Sequence, residues 1–343
     1  MRFPTMLLAG FVALTLGACG EDDESTAGSS TTQETAEPAA FPVTIEHKYG
    51  STTIEAAPAR VAVVGLREQD ALLGLGIVPV ATSEWYGEYP GAIFPWAQDE
   101  LGDAEPPTVL SYKDGIEVEK VASTRPDLII GIYSGMTKKE YETLSRLAPV
   151  VAQPKGLPDY GSSWQQETLM TGQAVGKPGE AQKLVDESEQ LIAEAAEANP
   201  DFAGHEAAIV SDYQGVFVYG PKDVRTRFLG ELGFHYPPEL GDAFPDEFGG
   251  QLSEERMDAL DVGTLVWFAD GDRTEKELKS DSLYKDLSVR KEGRDVFIAA
   301  DDRVYDATSF VSVLSMPTLI EELVPRLAAA ADGDPSTPTA QEG

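Results

Sequence analysis

The sequence has 343 residues, 42% of them hydrophobic and 8% aromatic, which is enough for about two domains with cores of their own. Its 59 acidic and 26 basic residues give a net charge of -33, which excludes nucleic-acid binding through a general basic surface. One cysteine excludes an internal disulfide, and three histidines, His47, His205 and His235, are too few for a His-rich metal site. We expect an acidic chain that remains monomeric.

The first 18 residues have the pattern of an export signal. Arg2 precedes an apolar run from Met6 to Leu16, which is too short to span a bilayer as a stable helix. The segment Leu16-Gly17-Ala18-Cys19 resembles the lipobox of bacterial lipoproteins, in which the signal is cut before the cysteine and the thiol is acylated. We therefore expect a lipoprotein signal peptide at 1–18 and a lipid anchor at Cys19, on the outer face of the cytoplasmic membrane; the alternative is a cysteine buried in a core helix.

Both ends of the remaining chain have compositions typical of disorder. Residues 19–40 are acidic and rich in Ser, Thr, Ala and Gly, and predict a disordered tether. Residues 331–343 predict a loose tail. Removing Arg2 and the six acidic residues of the tether leaves 25 basic and 53 acidic residues, so the part from Phe41 onward is itself strongly acidic.

Short apolar runs alternate with helical patterns from about residue 60 onward. Apolar runs without polar alternation are typical of parallel strands that helices cover on both faces. In the first half we predict strands at Val61–Gly65, Val78–Val80, Leu128–Ile132 and Val150–Val151, with helices at 71–76, Val118–Thr124 and Lys138–Leu147. In the second half we predict strands at Ala207–Val210, Val216–Tyr219, Leu265–Phe268 and Val296–Ala299, with helices through 228–232, 310–314 and 319–327.

A longer helical pattern lies between the two halves. Ser163 and Gln166 fit a capping box at a helix start. The stretch Pro178–Ala198 keeps an apolar stripe and spans about 30 Å at 1.5 Å per residue. We predict an α/β fold with two Rossmann-like lobes whose central parallel sheets are joined by this backbone helix. The predicted domains are an N-terminal lobe at 41–160, the backbone helix within 161–200 and a C-terminal lobe at 201–330.

The two halves also resemble each other. Residues 71–79 can be laid on 228–236, which matches two leucines and a glycine. Residues 119–130 can be laid on 255–266, and each begins with a glutamate and a basic residue and continues through a short helix into a buried strand. Repeats this far apart indicate two similar lobes rather than a stacked array. Two facing open sheets leave a ligand cleft at the carboxyl ends of their strands.

The chain resembles substrate-binding lipoproteins of ATP-driven importers, and more closely the helical-backbone (class III) binding proteins for ferric siderophores, haem and cobalamin. The resemblance covers about 43–327. It implies a protein that captures a ferric siderophore and delivers it to a membrane permease and its ATPase, with no enzymatic activity, no cofactor and no direct metal ligand. Four segments carry it: Arg60–Gly65, Glu119–Gly131, Leu147–Val151 and Leu283–Phe297.

In that family, one glutamate on each lobe docks into arginine pockets of the permease. Glu119 and Glu255 match those positions, and the internal repeat pairs them independently. Each glutamate also fits a helix-capping role, since a carboxylate is favoured in the first turn of a helix. A rim ion pair chiefly steers and orients association and weakens with salt.

Residues that follow the predicted strands are candidate ligand contacts. Flat aromatic rings offer contact area to a bulky organic chelate, and an arginine can bind a carboxylate, catecholate or hydroxamate oxygen. Plain packing is the alternative for each of them, and most of all for Trp267, which lies inside an apolar run. The candidates are Trp85, Tyr86, Tyr112, Lys113, Tyr133, Tyr213, Tyr219, Arg225, Trp267 and Tyr305.

The ligand class is narrowed by one departure from the family pattern. Related catecholate binders usually have an arginine just after the strand that here leads into Tyr133 and Ser134. Its absence favours a less anionic chelate, such as a hydroxamate or mixed siderophore. Haem, with Tyr, His or Met as axial ligand, and cobalamin are alternatives in the same fold.

A secreted hydrolase is the alternative from a different class. The sequence has no Gly-x-Ser-x-Gly elbow and no Walker loop, and Gly74-x-Gly76 lacks a third glycine. Ser288 and Lys291 have the Ser-x-x-Lys spacing of some acyl-transfer enzymes without their companion motifs. Turnover of a substrate by the purified protein would distinguish a hydrolase from a binding protein.

Overall fold

Two five-stranded sheets organise the chain in a computed structural model. We call the residues around the first sheet, 41–160, the N-terminal lobe, and those around the second, 201–330, the C-terminal lobe. The predicted signal peptide, Cys19, the tether, Tyr213 and most of the predicted tail lie outside the described residues. The structure describes residues 41–212, 214–244, 248–269, 275–334 and 336–337.

The first sheet is fully parallel and follows an antiparallel hairpin that the sequence analysis missed. The hairpin strands are β1 (Val43–His47) and β2 (Gly50–Ile54). The sheet strands are β3 (Val61–Val63), β4 (Ala81–Glu84), β5 (Thr108–Ser111), β6 (Leu128–Gly131) and β7 (Val150–Ala152). Their order is β5-β4-β3-β6-β7, so the predicted parallel sheet is confirmed here.

One predicted strand of the N-terminal lobe is misplaced. Val78–Val80 is not a strand, and β4 begins only at Ala81. The β4 residues Thr82 and Ser83 are buried although they are polar, because their hydroxyls donate to backbone carbonyl oxygens. A hydrophobicity pattern misses such a strand, since hydrogen bonds rather than apolar side chains allow its burial.

The backbone helix is present at the predicted residues, Pro178–Ala198. The Ser163 capping box is also present, because the Ser163 Oγ accepts from the Gln166 amide at 3.1 Å and the Gln166 Oε1 accepts from the Ser163 amide at 3.2 Å. The helices of this part are α1 (Glu68–Gly74), α2 (Gln98–Leu101), α3 (Val118–Ser123), α4 (Lys138–Leu144), α5 (Trp164–Ala174) and α6 (Pro178–Ala198), with 3₁₀ helices at Pro90–Ala92 and Pro95–Ala97.

The second sheet is also rich in parallel pairs, as predicted, but it contains one antiparallel strand that the sequence analysis did not foresee. Its strands are β8 (Ala207–Ser211), β9 (Val216–Tyr219), β10 (Gly249–Leu252), β11 (Thr264–Ala269) and β12 (Asp295–Ala299), in the order β10-β9-β8-β11-β12. β8, β11 and β12 are parallel, whereas β9 is antiparallel to both neighbours. Only four residues separate β8 from β9, which is too short for a parallel crossover.

The helices of the C-terminal lobe include four that the sequence analysis missed, α8, α9, α10 and α12. A helix was predicted at 310–314, but the helix found in this region lies before it and ends at Phe310. It ends there because Val311 has a φ of 36°, outside the right-handed helical region. The helices are α7 (Val224–Glu231), α8 (Pro238–Ala243), α9 (Glu275–Ser280), α10 (Ser288–Lys291), α11 (Arg303–Phe310), α12 (Met316–Thr318) and α13 (Val324–Ala331), with 3₁₀ helices at Pro200–Phe202 and Glu254–Leu260 and a π-helix at Leu319–Leu323.

The internal repeat is visible in the topology of the two sheets. The parallel triads β3-β6-β7 and β8-β11-β12 have the same order, and a short helix precedes the middle strand of each, α3 in the first and the 3₁₀ helix Glu254–Leu260 in the second. Glu119 and Glu255 therefore occupy equivalent places in the two lobes. Among the described residues, none of the helices has the length and apolarity that crossing a membrane requires.

Candidate functional site

One aromatic cluster lies where the strands of the first sheet end. Every strand of that sheet is followed by at least one residue of the cluster, as expected for a ligand edge in an open α/β sheet. Phe310 of the C-terminal lobe packs in the same cluster, so the cluster spans the contact between the lobes. Its members are Leu66, Tyr86, Tyr89, Phe94, Trp96, Tyr112, Tyr133, Tyr160 and Phe310.

The loop after β4 makes the closest aromatic contacts with the other lobe. The Tyr86 ring stacks on Phe310 with centroids 5.6 Å apart, and its edge meets Tyr305 at 5.9 Å. The Tyr89 hydroxyl donates to the Asp306 Oδ2 at 2.8 Å. These contacts hold the loop on α11, so a ligand that enters between the lobes must separate them.

A second set of aromatic rings surrounds Arg225 in the C-terminal lobe. The guanidinium carbon lies 4.1 Å from the Tyr219 ring centroid, 5.7 Å from that of Phe248 and 5.9 Å from that of Phe268. Arg225 is only 7% exposed, and its Nη1 lies 2.9 Å from the Asp223 Oδ2. Burial is the largest influence and lowers the pKa of Arg225, but Asp223, Tyr219 and Tyr133 together raise it overall. This arginine is already paired inside the protein.

Arg67, directly before α1, connects the N-terminal lobe to the segment around α5 and to the C-terminal lobe. Its Nε pairs with the Glu167 Oε2 of α5 at 2.6 Å, and its Nη2 donates to the Ser162 carbonyl oxygen at 2.9 Å. Its Nη1 donates to the carbonyl oxygens of Phe310 and Val311 at 2.9 and 3.2 Å. A fully buried guanidinium therefore joins the two lobes beside the aromatic cluster.

Buried carboxyl groups on α1 complete the contact between the lobes. The Glu68 Oε1 accepts from the Tyr133 amide at 2.8 Å, and burial raises the pKa of Glu68. The Asp70 Oδ2 accepts from the Trp96 Nε1 at 2.7 Å and from the Ser312 hydroxyl of the C-terminal lobe. Burial raises the pKa of Asp70 to about 6, although both hydrogen bonds oppose the shift. These acids have structural partners and no open surface for a ligand.

The family model described as "Periplasmic binding protein" matches residues 61–301, a segment that includes both five-stranded sheets. The chain belongs to the periplasmic binding protein family. It is a substrate-binding protein and not an enzyme, which removes the hydrolase alternative. The predicted fold class, two α/β lobes with a long helix between them, is confirmed, with the exception of the antiparallel strand β9.

Similar proteins cover nearly the whole chain. The "Iron-uptake system-binding protein" of Bacillus subtilis (strain 168) is 25% identical over 332 residues, which are 92% of this chain and 97% of that protein. The structure of a periplasmic solute binding protein from Mycobacterium smegmatis has 31% identity and a TM-score of 0.74, and covers 84% of this chain and 98% of that one. The structure of Streptococcus pneumoniae TIGR4 PiaA in complex with ferrichrome has 25% identity and a TM-score of 0.75, with coverage of 85% and 99%.

The structure brings most of the predicted ligand residues of this binding protein into the two aromatic sets. Tyr86, Tyr112 and Tyr133 lie in the cluster of the first lobe. Tyr219 and Arg225 lie in the second set, and Tyr305 links the two through Tyr86 and Phe268. The Tyr112 hydroxyl also lies 2.9 Å from the Tyr160 hydroxyl.

Other predicted residues have different surroundings. Trp267 is 1% exposed and packs on Tyr284 and Phe297 in the core beside the second sheet, so its ring offers no surface to the cleft. Its place inside an apolar run is explained by this packing. Trp85 is 55% exposed, and Lys113 is also exposed.

Several residues of the site were missed by the sequence analysis. Arg67 carries no local signal, because its partners Glu167 and Phe310 are distant in the sequence and only the fold brings them to its guanidinium. Tyr89, Phe94 and Trp96 form a dense aromatic run with Trp85 and Tyr86, a signal that the sequence contains. Tyr160 and Phe310 carry no comparable local pattern, since only the fold brings them beside the strand ends.

Glu119 and Glu255 are both exposed in the first turn of their helices. Neither forms an ion pair with another residue in the described part of the chain. As for metals, the described residues contain no group of three or more His, Cys, Asp or Glu side chains that could hold an ion.

Proposed function

We propose that this chain is the extracytoplasmic substrate-binding lipoprotein of an ATP-driven ferric siderophore importer. It captures a ferric chelate between its lobes and passes the chelate, chemically unchanged, to the membrane permease. The observation that carries the proposal is the tyrosine-rich contact between the lobes at the strand ends. Rings that now pack on one another offer the same faces to a bulky organic chelate. The iron-uptake and ferrichrome-binding relatives support an iron chelate as the ligand.

The charges at the contact favour a hydroxamate or mixed siderophore over a catecholate. Two of its arginines, Arg67 and Arg225, already pair with carboxyl groups of the protein, Glu167 and Asp223. A ferric tris-catecholate carries three negative charges and needs several free cationic groups in its pocket. A chelate whose donor groups balance the charge of the iron needs fewer free cationic groups in its pocket.

Ligand capture requires a limited separation of the lobes. The lobes are joined through α6, a continuous helix of 21 residues, and a helix flexes less than a loop hinge. We propose a small tilt that parts Tyr86 from Phe310 and Tyr89 from Asp306. The lipid anchor at Cys19 then keeps the protein at the membrane, and Glu119 and Glu255 present the loaded form to the permease.

A panel of ferric chelates tests the ligand proposal. Purified protein is titrated with ferric hydroxamate, mixed and catecholate siderophores and with haem and cobalamin, with fluorescence of the four tryptophans as the readout. We expect saturable quenching by at least one ferric hydroxamate or mixed siderophore, since Trp96 lies in the cluster. If only haem or cobalamin binds, that compound takes the place of a siderophore as the proposed ligand. Binding of none of these compounds contradicts the proposal.

Charge reversal at both glutamates tests the docking step. The double variant Glu119→Lys/Glu255→Lys should abolish uptake into cells and leave the affinity for the chelate unchanged, because the two side chains face solvent. The double variant Glu189→Lys/Glu197→Lys is a control with the same change in charge at two exposed positions of α6. Uptake by the first variant at the level of this control would remove the docking assignment.

A further inference from the structure

The β1–β2 hairpin contacts two of the loops that carry residues of the aromatic cluster. Its turn consists of Lys48 and Tyr49, which we call the hairpin tip. The Tyr49 hydroxyl donates to the carbonyl oxygen of Met136. The Lys48 amide donates to the Gln153 carbonyl oxygen at 2.8 Å, and the Lys48 Nζ pairs with the Asp159 Oδ1 at 2.6 Å. The tip is thus bonded to the loop after β6 and to the loop after β7.

Each of these loops carries one tyrosine of the cluster. Tyr133 precedes Met136 in the loop after β6, and Tyr160 follows Gln153 in the loop after β7. The two tyrosine rings meet edge to face, with centroids 5.2 Å apart. The Gln153 Nε2 also donates to the Pro158 carbonyl oxygen at 2.7 Å, which fixes the path of its loop towards Tyr160. A shift of the hairpin tip would therefore move both rings.

His47, the last residue of β1, holds the tip through a ring that is buried. Its Nδ1 accepts from the Tyr49 amide at 3.2 Å, so the proton of the neutral ring is assigned to Nε2. That Nε2 lies 2.9 Å from the Thr52 Oγ1, and the Thr52 hydroxyl donates in turn to the Val150 carbonyl oxygen at 2.6 Å. The neutral histidine thus satisfies every hydrogen bond in this series.

Protonation of His47 would disrupt the same series. A proton on Nδ1 would face the N–H of Tyr49, and two donors do not bond to each other. Burial, the largest influence, lowers the pKa of His47, while the exposed Glu46 beside it in β1 raises it. From α4, Tyr141 contributes an uncharged hydroxyl at 3.5 Å and a ring at 5.2 Å. The surroundings of the ring therefore favour its neutral form.

We propose that the hairpin tip positions the tyrosine rings of the ligand site and that the neutral ring of His47 keeps the tip in place. Acidification then loosens the tip and frees the loops after β6 and β7. Binding of the ferric chelate weakens, because the loops must be ordered again when the ligand binds. His47, Lys48 and Tyr49 act through Tyr133 and Tyr160 and not by contact with the chelate. This inference rests on the proposed siderophore-binding function and adds to it a control of affinity by pH.

Hydrogen–deuterium exchange of the unliganded protein tests the positioning step. Tyr49→Phe removes the bond to Met136 and keeps an aromatic ring in the turn, so exchange in residues 131–137 should become about 3- to 10-fold faster. Tyr284→Phe is the control, because it removes a buried hydroxyl that donates to Asp295 in the C-terminal lobe. It should leave exchange in 131–137 unchanged. Equal exchange of this loop in Tyr49→Phe and wild type would overturn the inference.

Ferrichrome binding at two pH values tests the role of His47, with tryptophan fluorescence as the readout. Because the pKa of His47 in the docked tip lies below its ordinary value of 6.5, docking weakens as the pH falls below that value. Wild-type affinity for this neutral ferric trihydroxamate should fall about 3- to 10-fold between about pH 7.5 and pH 5. His47→Asn should abolish the fall, since an asparagine oxygen can accept from the Tyr49 amide and does not titrate.

A pH dependence that His47→Asn shares with wild type, or none in wild type, would overturn the role of His47. If ferrichrome does not bind, the titration uses the ferric chelate of the panel that does. If no chelate binds, the proposed function falls. Hydrogen exchange of the unliganded protein at the same two pH values, corrected for the intrinsic rates, still decides whether acid frees residues 131–137 and 153–160 in wild type and not in His47→Asn.

Discussion

The helices α1 and α7 occupy equivalent places in the two lobes, yet they carry opposite charges. The repeat that lays residues 71–79 on 228–236 also lays Glu68 on Arg225 and Asp70 on Arg227. Each helix leads into a segment that pairs in parallel beside the first strand of its sheet, Ala81 in one lobe and His235 in the other. In α1 the carboxyl groups of Glu68 and Asp70 bind groups elsewhere in the protein, whereas in α7 the Arg225 guanidinium pairs with the carboxylate that caps its own helix. Equivalent positions of the fold thus join separate segments in one lobe and stay within one helix end in the other.

Removal of the Arg67 guanidinium should destabilise the contact that joins the N-terminal lobe to α5 and to the C-terminal lobe. Arg67→Ala leaves Glu167 as an unpaired buried carboxyl and removes the donors of three carbonyl oxygens, so we expect a loss of about 3–5 kcal/mol in the free energy of unfolding. Urea denaturation measures the loss. The double variant Arg67→Met/Glu167→Met removes both charges and should recover part of it. A single-variant loss below about 1 kcal/mol would contradict the role of Arg67.

The carboxyl group of Asp70 should make stability depend on pH. Because its folded pKa of about 6 lies above its ordinary value of 3.8, its contribution is present below about pH 4 and is lost as the pH rises to about 6. Relative to wild type, Asp70→Asn should therefore gain about 2 kcal/mol in unfolding free energy between pH 4 and pH 7. Asp186→Asn, at an exposed position of α6, is the control. A constant difference between Asp70→Asn and wild type across this range would show that Asp70 titrates normally.

The paired glycines after α1 and α7 allow a finer comparison. Gly76 has a φ of 72° and nothing within 4 Å of an added Cβ, whereas Gly233 has a φ of 106° and the Ala203 N and Cα atoms at 3.7 and 3.8 Å from an added Cβ. Alanine tolerates the first conformation at about 1 kcal/mol, but the second lies outside the left-handed region that side chains adopt. Gly233→Ala should thus cost about 1 kcal/mol more than Gly76→Ala in thermal or urea unfolding. Equal losses of unfolding free energy in the two variants would contradict the difference inferred between the two glycine positions.

The sequence predicted features that depend on local chemistry. The backbone helix, its capping box and the parallel strands with continuous apolar runs are encoded by neighbouring residues, and they are present where predicted. The buried polar strand β4 was misplaced because its burial depends on hydrogen bonds to other segments, and the antiparallel direction of β9 was missed because it depends on a short connection.

An iron anomalous difference map of crystals grown with a bound ferric chelate tests the central claim most directly. We predict a single iron peak between the two sheets, with the chelate against the tyrosine rings of both lobes. A peak on the outer surface of one lobe, or a chelate that touches only one lobe, would contradict the account.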